Sequence, residues 1–349
     1  MTARNVAVIF GGRSAEHEVS VVSAGSVMAA LDKSLWSVSP FAISRDGHWL
    51  PRAETDALIA SRATAFDGAS GASVPDSVLA ELASCDIAFP LVHGTYGEDG
   101  TLQGFLEVLD LPYAGAGVAA SAIGMDKALM KALFREAGVP VGPFCVLRRW
   151  DVERRGEETI RFVEEEAGYP CFVKPANGGS SIGVSKVSSR EDLPAAFTAA
   201  FVCDDKILVE TAIEGREVEC SVLGNETPRA SIAGEIEPDR EFYDYDSKYA
   251  DESTSALYVP ARLDEEAAAR VQELALRMYD AMGCEGYARV DFFVTAENEV
   301  IANEVNTIPG FTSISMFPKL WEASGLEYSQ LLTEILELGL QRAERRRQR

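Results

Sequence analysis

The sequence predicts an α/β protein: an N-terminal unit on a parallel sheet, then two units that mix helices with antiparallel strands. Three observations lead there. Apolar strand patterns at 5–10, 35–43 and 85–92 alternate with helical patterns at 15–31 and 101–109, and βαβα order makes a parallel sheet with helices on its faces. Further on, 217–223 and 229–236 alternate in direct succession, as antiparallel strands do. With 349 residues and 47% hydrophobic content, the chain is long for one core and fits two or three.

Each element has a local reason. Residues 11–14 form a glycine turn between the first strand and first helix, and 45–49 form another turn. Residues 52–77 are rich in Ala, Ser and Asp with weak periodicity, and read as a variable surface segment. Residues 94–100 are a loop. A second unit begins near Ser121, with a helix at 128–137 that stops at Gly138. Strands at 171–174 and 183–187 flank a glycine-rich turn, and a strand at 206–210 ends at a hinge, 213–215. Residues 237–255 are a long polar, Tyr-rich loop without periodicity, a length usually tied to function or disorder. In 264–282, Val271, Leu274, Ala275, Met278, Tyr279 and Met282 repeat at helical spacing. Residues 326–340 are a final amphipathic helix, and the basic tail 342–349 reads as its frayed end.

Composition excludes several classes. Lys+Arg 32 against Asp+Glu 55 gives −23, which argues against nucleic acid and anionic membranes as partners. The N-terminal apolar run is too short for a signal peptide and no apolar 18-mer follows, so a cytoplasmic protein is expected. The six cysteines are scattered without a CxxC and read as reduced core residues.

The strongest chemical signal is 286–310, GYARVDFFVTAENEVIANEVNTIPG, two strands joined by a polar turn at 295–298. Arg289 and Asp291 share one face and Val290 and Phe292 the other, while Glu304 and Asn306 share a face in the second strand. If the strands pair, two carboxylates, an amide and a guanidinium converge. Asp291, Glu304 and Asn306 are oxygen ligands without His or Cys, suited to a hard cation such as Mg²⁺ and hence to phosphate chemistry. Removing Asp291 or Glu304 is expected to relieve charge crowding.

Other constellations are weaker singly. The turn GGSSIG, 178–183, offers backbone N–H groups and the Ser180 and Ser181 hydroxyls to phosphate, though a plain hairpin turn explains it as well. Lys174, among Phe172, Val173 and Pro175, needs an anion partner, which a phosphate would supply. Lys127 opens a helix, where a solvated surface lysine is the plain alternative. Glu210, Ile213 and Glu217 flank a strand break whose freed backbone groups suit a purine edge, with a carboxylate for ribose hydroxyls. Glu217 equally suits a solvent-facing strand position. His93 stands at the carboxyl end of a strand, where open α/β sheets bind ligands, or is a structural histidine. The other two histidines, His17 and His48, sit in polar sequence. Glu16, in a first helical turn, suits a substrate ammonium or simply the helix dipole. Tyr243, Tyr245, Lys248 and Tyr249 sit in the long loop and suggest a lid. Ser313 and Ser315 precede a helix start and suit a carboxylate or an N-cap.

Taken in order, GGRSAEHEVS (11–20), HGTYGEDGTLQG (93–104), GMDK (124–127), VKPANGGSSIGVSKV (173–187), FYDYDSKY (242–249), RVDFFV (289–294) and NEVNTIPGFTSIS (303–315) resemble the D-alanine–D-alanine ligase family of ATP-grasp enzymes, over about residues 5–340. The resemblance implies an ATP-grasp fold: a Rossmann-like unit at 1–123, a central unit at 124–215 and a C-terminal unit at 216–349, the last two clamping ATP. It implies ligation of two D-alanine molecules through a D-alanyl phosphate, for peptidoglycan precursors, by a homodimer. Lys127, Lys174, Ser180 and Ser181 would contact the ATP phosphates, Glu210 and Ile213 the adenine, and Glu217 the ribose, with Lys248 also binding ATP. Asp291, Glu304 and Asn306 would hold two Mg²⁺, or Mn²⁺, bridging the phosphates. Glu16 would anchor the first ammonium with His93 nearby, Ser315 the second carboxylate, and Arg289 and the Gly310 backbone the tetrahedral oxyanion. Ser180 and Tyr249 would link to Glu16 and close the loop. D-alanyl-D-lactate ligases depart from the FYDYxxKY pattern that this chain keeps, so a dipeptide is the expected product. The alternatives are a D-Ala–D-Lac or D-Ala–D-Ser ligase, or a nucleotide-binding module without turnover.

Overall fold

A computed structural model describes residues 3–68, 73–238, 255–312 and 314–348. The first part runs β1 (Arg4–Gly11), α1 (His17–Ala30), β2 (Trp36–Ile43), α2 (Arg52–Ser61), α3 (Asp76–Leu82), β3 (Ile87–Pro90) and α4 (Thr101–Val108). Its strands form the expected parallel sheet, in the order β2-β1-β3. The alternation of β1 divides the core: Val6, Val8 and Phe10 belong to one cluster, Ala7 and Ile9 to another on the opposite face.

The chain continues with α5 (Val118–Met125), α6 (Lys127–Glu136), β4 (Phe144–Arg148), α7 (Arg149–Arg155), α8 (Glu157–Glu166), β5 (Cys171–Pro175), β6 (Ser185–Val187), α9 (Leu193–Cys203) and β7 (Lys206–Thr211). These strands make an antiparallel sheet ordered β4-β7-β5-β6, covered by α8 and α9 through Val163, Phe197 and Ala200. Then come β8 (Arg216–Leu223), β9 (Arg229–Glu237), β10 (Ala256–Tyr258), α10 (Glu265–Ala281), β11 (Tyr287–Val294), β12 (Val300–Asn306), α11 (Met316–Ala323) and α12 (Tyr328–Arg347). The sheet order is β10-β9-β8-β11-β12 and every pair is antiparallel. Five of the six periodic residues lie in α10 and the sixth, Met282, is its C-cap; all six are buried against this sheet.

Four expectations are corrected. Residues 52–77 are not a featureless surface segment: they contain α2 and the start of α3, and α2 escapes detection because Thr55 is its one buried residue. The C-terminal tail is not frayed. Arg342 is buried, donates to the Gly115 carbonyl and, at 2.8 Å, to the Tyr113 carbonyl, and lies over the Tyr113 ring. His17 is fully buried, edge-on to Phe66, despite its polar sequence neighbours. Cys203 is exposed, while the other five cysteines are buried and free. Among the described residues, no helix is long and apolar enough to cross a membrane.

Candidate active site

The β11–β12 hairpin forms with its turn at the expected place, closed by Asn298 N–H donating to the Thr295 carbonyl. Arg289 pairs with Asn306 and Asp291 with Glu304; on the other side of β11, Asp291 pairs with Glu219. Directly opposed residues share a face, so three carboxylates form a row across β8, β11 and β12. A bulge after Asp291 interrupts the β12 ladder beside Glu304.

Arg289 neutralises this row. Its guanidinium is half-buried and grips Asp291 with two bonds, Nε to Oδ1 at 2.8 Å and Nη2 to Oδ2 at 2.6 Å, and its Nε lies 3.1 Å from Glu219 Oε2. Burial alone would lower its pKa, but Asp291 and Glu219 hold it well above the ordinary arginine value. Glu304 Oε2 lies 3.5 Å from Lys127 Nζ. The row is therefore not crowded by unpaired charge, which corrects the sequence expectation. Among the described residues, no three His, Cys, Asp or Glu side chains gather into a ready-made metal cage. The donor set of Asp291, Glu304 and Asn306 still fits a hard cation, because it is all oxygen and each carboxylate already faces a cationic group that a metal can replace.

Lys127 is placed by its helix. Asp126 caps α6, accepting from the Ala128 and Leu129 amides at 3.1 Å, and the Lys127 amide donates to the Ala176 carbonyl. Its Nζ donates to the Gly178 carbonyl at 2.7 Å, so it is not a solvated surface lysine. The glycine-rich loop it touches is tethered through Asn177, whose amide and side chain both donate to Asp204. Within the loop, Ser180 and Ser181 hold φ of +51° and +59°, a left-handed conformation that costs non-glycine residues energy. The Ser180 hydroxyl is buried without a hydrogen-bond partner. An orphaned donor at the end of such a turn is what an anion site requires.

The anion that Lys174 needs is already present: its ammonium pairs with Glu210 Oε1, which corrects the expectation of a phosphate as first partner. Glu210 Oε2 lies 3.1 Å from the buried Lys131. Burial would raise the Glu210 pKa, but Lys131 and Lys174 override it and hold it at about 2. Ile213 packs against Gly142, where a Cβ would come within 2.9 Å of its Cδ1. At the strand break, the Thr211 and Ala212 amides donate to the Pro143 and Pro170 carbonyls, so these two donors are internal. Glu217 is half-buried at the edge of the same cavity.

A second cavity carries the remaining residues. His93 is buried, with Nδ1 2.8 Å from the Ile308 carbonyl and Nε2 3.5 Å from Ser23 Oγ. Burial pulls its pKa down, but Glu98, Glu16 and the Ile308 carbonyl together leave it raised. Glu16, just before α1, lies against the glycine loop: a Cβ on Gly179 would sit 3.2 Å from its carboxylate. Ser315 stands at the N-terminus of α11 but makes no cap bond; its Oγ accepts from the Thr312 amide at 3.1 Å. A Cβ on Gly310 would come within 2.7 Å of that Oγ, so a larger residue there would have to displace the Ser315 hydroxyl.

The two cavities, of 570 and 520 Å³, are distinct in lining and share an edge. The first holds Lys131, Lys174, Ser181, Glu210, Ile213 and Glu217. The second holds Glu16, His93, Arg289, Asn306, Gly310 and Ser315. Lys127, Gly178, Gly179, Ser180 and Glu304 line both. Sequence reasoning missed Glu98, Lys131 and Glu219. The i,i+4 spacing of Lys127 and Lys131 could have found one of them, since it puts both on one helix face. Tyr243, Tyr245, Lys248, Tyr249 and Ser313 lie outside the described residues.

Residues 5–116 match the family model for the D-ala D-ala ligase N-terminus and residues 133–337 that for the D-ala D-ala ligase C-terminus. The chain is 46% identical to D-alanine–D-alanine ligase A of Escherichia coli K12, covering 98% of this chain and 97% of the relative. It is also 46% identical to D-alanine–D-alanine ligase of Chlorobium phaeovibrioides, covering 96% and 97%. Among solved structures, the D-alanine–D-alanine ligase of Coxiella burnetii superimposes with a TM-score of 0.83 at 35% identity, covering 100% of this chain and 97% of that one. The VanG D-Ala:D-Ser ligase of Enterococcus faecalis superimposes with a TM-score of 0.82 at 35% identity, covering 97% and 100%.

Proposed function

The chain belongs to the D-alanine–D-alanine ligase family, and from that premise we propose that it joins two molecules of D-alanine at the expense of ATP, in the cytoplasm, for peptidoglycan precursors. The observation that carries the residue roles is the shared edge of the two cavities. A nucleotide in the lysine-lined cavity would point its terminal phosphate at Lys127 and Ser180. An amino acid in the other would present its carboxylate to the same place.

The carboxylate of the first D-alanine attacks the γ-phosphorus, the bond to ADP breaks, and a D-alanyl phosphate forms. Lys127 and Lys174 offset the negative charge on the phosphates, and Ser180 and Ser181 donate to phosphate oxygens; such transfer rests on positioning and charge. Glu210 and Ile213 border the adenine and Glu217 the ribose. Glu16 holds the first ammonium beside His93, and Ser315 at the α11 N-terminus holds the second carboxylate. The amine of the second D-alanine attacks the acyl carbon, the acyl C–O bond breaks with its electron pair departing on phosphate, and the proton shed by the amine passes to solvent. Arg289 and the Gly310 amide donate to the oxyanion between these events, where one such donor is worth ~3 kcal/mol. Asp291, Glu304 and Asn306 would hold Mg²⁺, which when bound supplies charge neutralisation for the phosphates. Tyr249 and Lys248 complete the reading as the part of the site that shields the acyl phosphate from water. Two copies are expected to associate, which light scattering would check.

The test is to incubate the protein with ATP, Mg²⁺ and D-alanine and weigh the product. D-alanyl-D-alanine with stoichiometric ADP is expected; tight ATP binding without D-alanine-dependent ADP would point to a module without turnover. With excess D-lactate or D-serine present near neutral pH, the D-Ala–D-Ala dipeptide should remain the main product, and a mainly ester or D-Ser product would overturn the assignment of the second substrate.

A further inference from the structure

Lys131 is a buried cation that the mechanism above leaves unused. It sits one helical turn after Lys127 on α6, 3% exposed, with its Nζ 3.1 Å from Glu210 Oε2, while Lys174 pairs with Oε1 of the same carboxylate. Two ammonium groups thus share one carboxylate at the floor of the nucleotide cavity. Glu210 is 8% exposed, its neighbours across β4 and β5 are Phe144 and Phe172, and the exposed Lys186 stands one strand further along the same row, so Lys131 and Lys174 are the cations paired with its two oxygens.

This arrangement poses a problem for phosphate binding. A phosphate that draws Lys174 away from Glu210 would leave a buried carboxylate without its counter-ion, and an unpaired buried charge is strongly unfavourable. A second, permanent counter-ion removes the problem. We propose that Lys131 is a positioning residue that stays with Glu210 and thereby leaves Lys174 transferable to the nucleotide phosphates. The inference rests on the reading of Lys174 as a phosphate ligand. Lys131 itself does not touch the nucleotide in this account. Its ammonium stays on the Oε2 side of Glu210, and the net positive charge of the triad (two lysines, one glutamate) is what attracts the phosphate.

The experiment compares two probes, ADP without metal and adenosine, by calorimetry and ligand-observed NMR. Lys131→Met should weaken ADP about tenfold and change adenosine by less than about twofold, because adenosine has no phosphate to take Lys174. Equal weakening of both would show a merely structural role in the adenine pocket and overturn the proposal. Lys131→Gln serves as the second variant if the methionine protein does not fold. In a Glu210→Gln background, the effect of Lys131→Met on ADP should fall below about twofold; an undiminished effect would mean that Lys131 acts on the nucleotide directly and would also overturn it. Lys174→Met separates this from the underlying reading. If it weakens ADP while Lys131→Met does not, the inference alone fails; if it leaves ADP untouched, the phosphate assignment fails and takes the inference with it.

Discussion

Two antiparallel hairpins meet at the shared edge of the cavities, and they are built in opposite ways. In β11–β12, strands of eight and seven residues pair over six positions, one face is buried in the core, and the charges on the other face are matched to each other: Arg289 with Asp291 and Glu219. In β5–β6, only three positions pair, the loop holds two serines in a left-handed conformation, and the Ser180 hydroxyl has no partner. The first hairpin is satisfied without a ligand, and the second is not. Fixed charges need a rigid frame that neutralises them when the site is empty. Donors meant for a phosphate must be left over when the loop folds, so their loop must be held from outside, as Asn177 and Asp204 hold this one.

The comparison breaks most visibly at Arg289. Arg289→Ala would leave Asp291 and Glu219 buried without their cation, at a cost of about 3–5 kcal/mol. Urea unfolding should show that loss, and turnover should fall by roughly 10²–10³-fold; a loss under about 1 kcal/mol would mean that the hairpin is not charge-held.

The base of the glycine-loop side can be tested by acid. Glu210 has its folded pKa depressed from 4.5 to about 2. Its contribution is therefore fully present above the unfolded value and is lost as pH falls through that window. A depression of this size corresponds to roughly 3–4 kcal/mol. The stability difference between the natural protein and Glu210→Gln should shrink steadily from pH 5 to pH 2.5, and a flat difference would remove Glu210 from the charge account.

Smaller effects belong to the loop itself. Gly183 has φ +73°, and a Cβ there would meet Cys203 Sγ at 2.9 Å. Gly183→Ala should cost about 1–3 kcal/mol in thermal melts and raise the ATP requirement. Ser180→Ala should change stability by no more than about 0.5 kcal/mol, since it removes an unpartnered hydroxyl. Its turnover should nevertheless drop about tenfold in steady-state assays. A large stability loss would show that the hydroxyl has a folding role.

Much of this contrast was legible in the sequence. The two-residue period of 286–306 fixed which side chains of β11 and β12 share a face, because one face is core and any slip would bury charge. The helical period in α10 was equally clear for the same reason. What was hidden had no periodic signal. In α2, one buried residue gives no stripe. In α9, buried and exposed positions are both apolar, so Phe197 and Val202 read alike. Lys174 was rightly read as needing an anion, but the sequence could not reveal that Glu210, across a strand pair, supplies it. Glu219 was missed because its significance comes from Arg289, distant in sequence, and Glu98 because it meets His93 across a loop without periodicity.

The burial of α12 has a consequence for biosynthesis. Leu331, Leu332, Ile335 and Leu336 of this helix complete the apolar cluster that begins with Val6 and Val8 of β1, and Arg342 closes it over Tyr113 and Gly115. β1 is thus covered by a helix synthesised long after it. At roughly 5–20 residues per second, one face of the nascent parallel sheet stays open for on the order of ten seconds or more. During that interval it is a surface for chaperones to guard, and a ribosome that stalls before α12 leaves it bare.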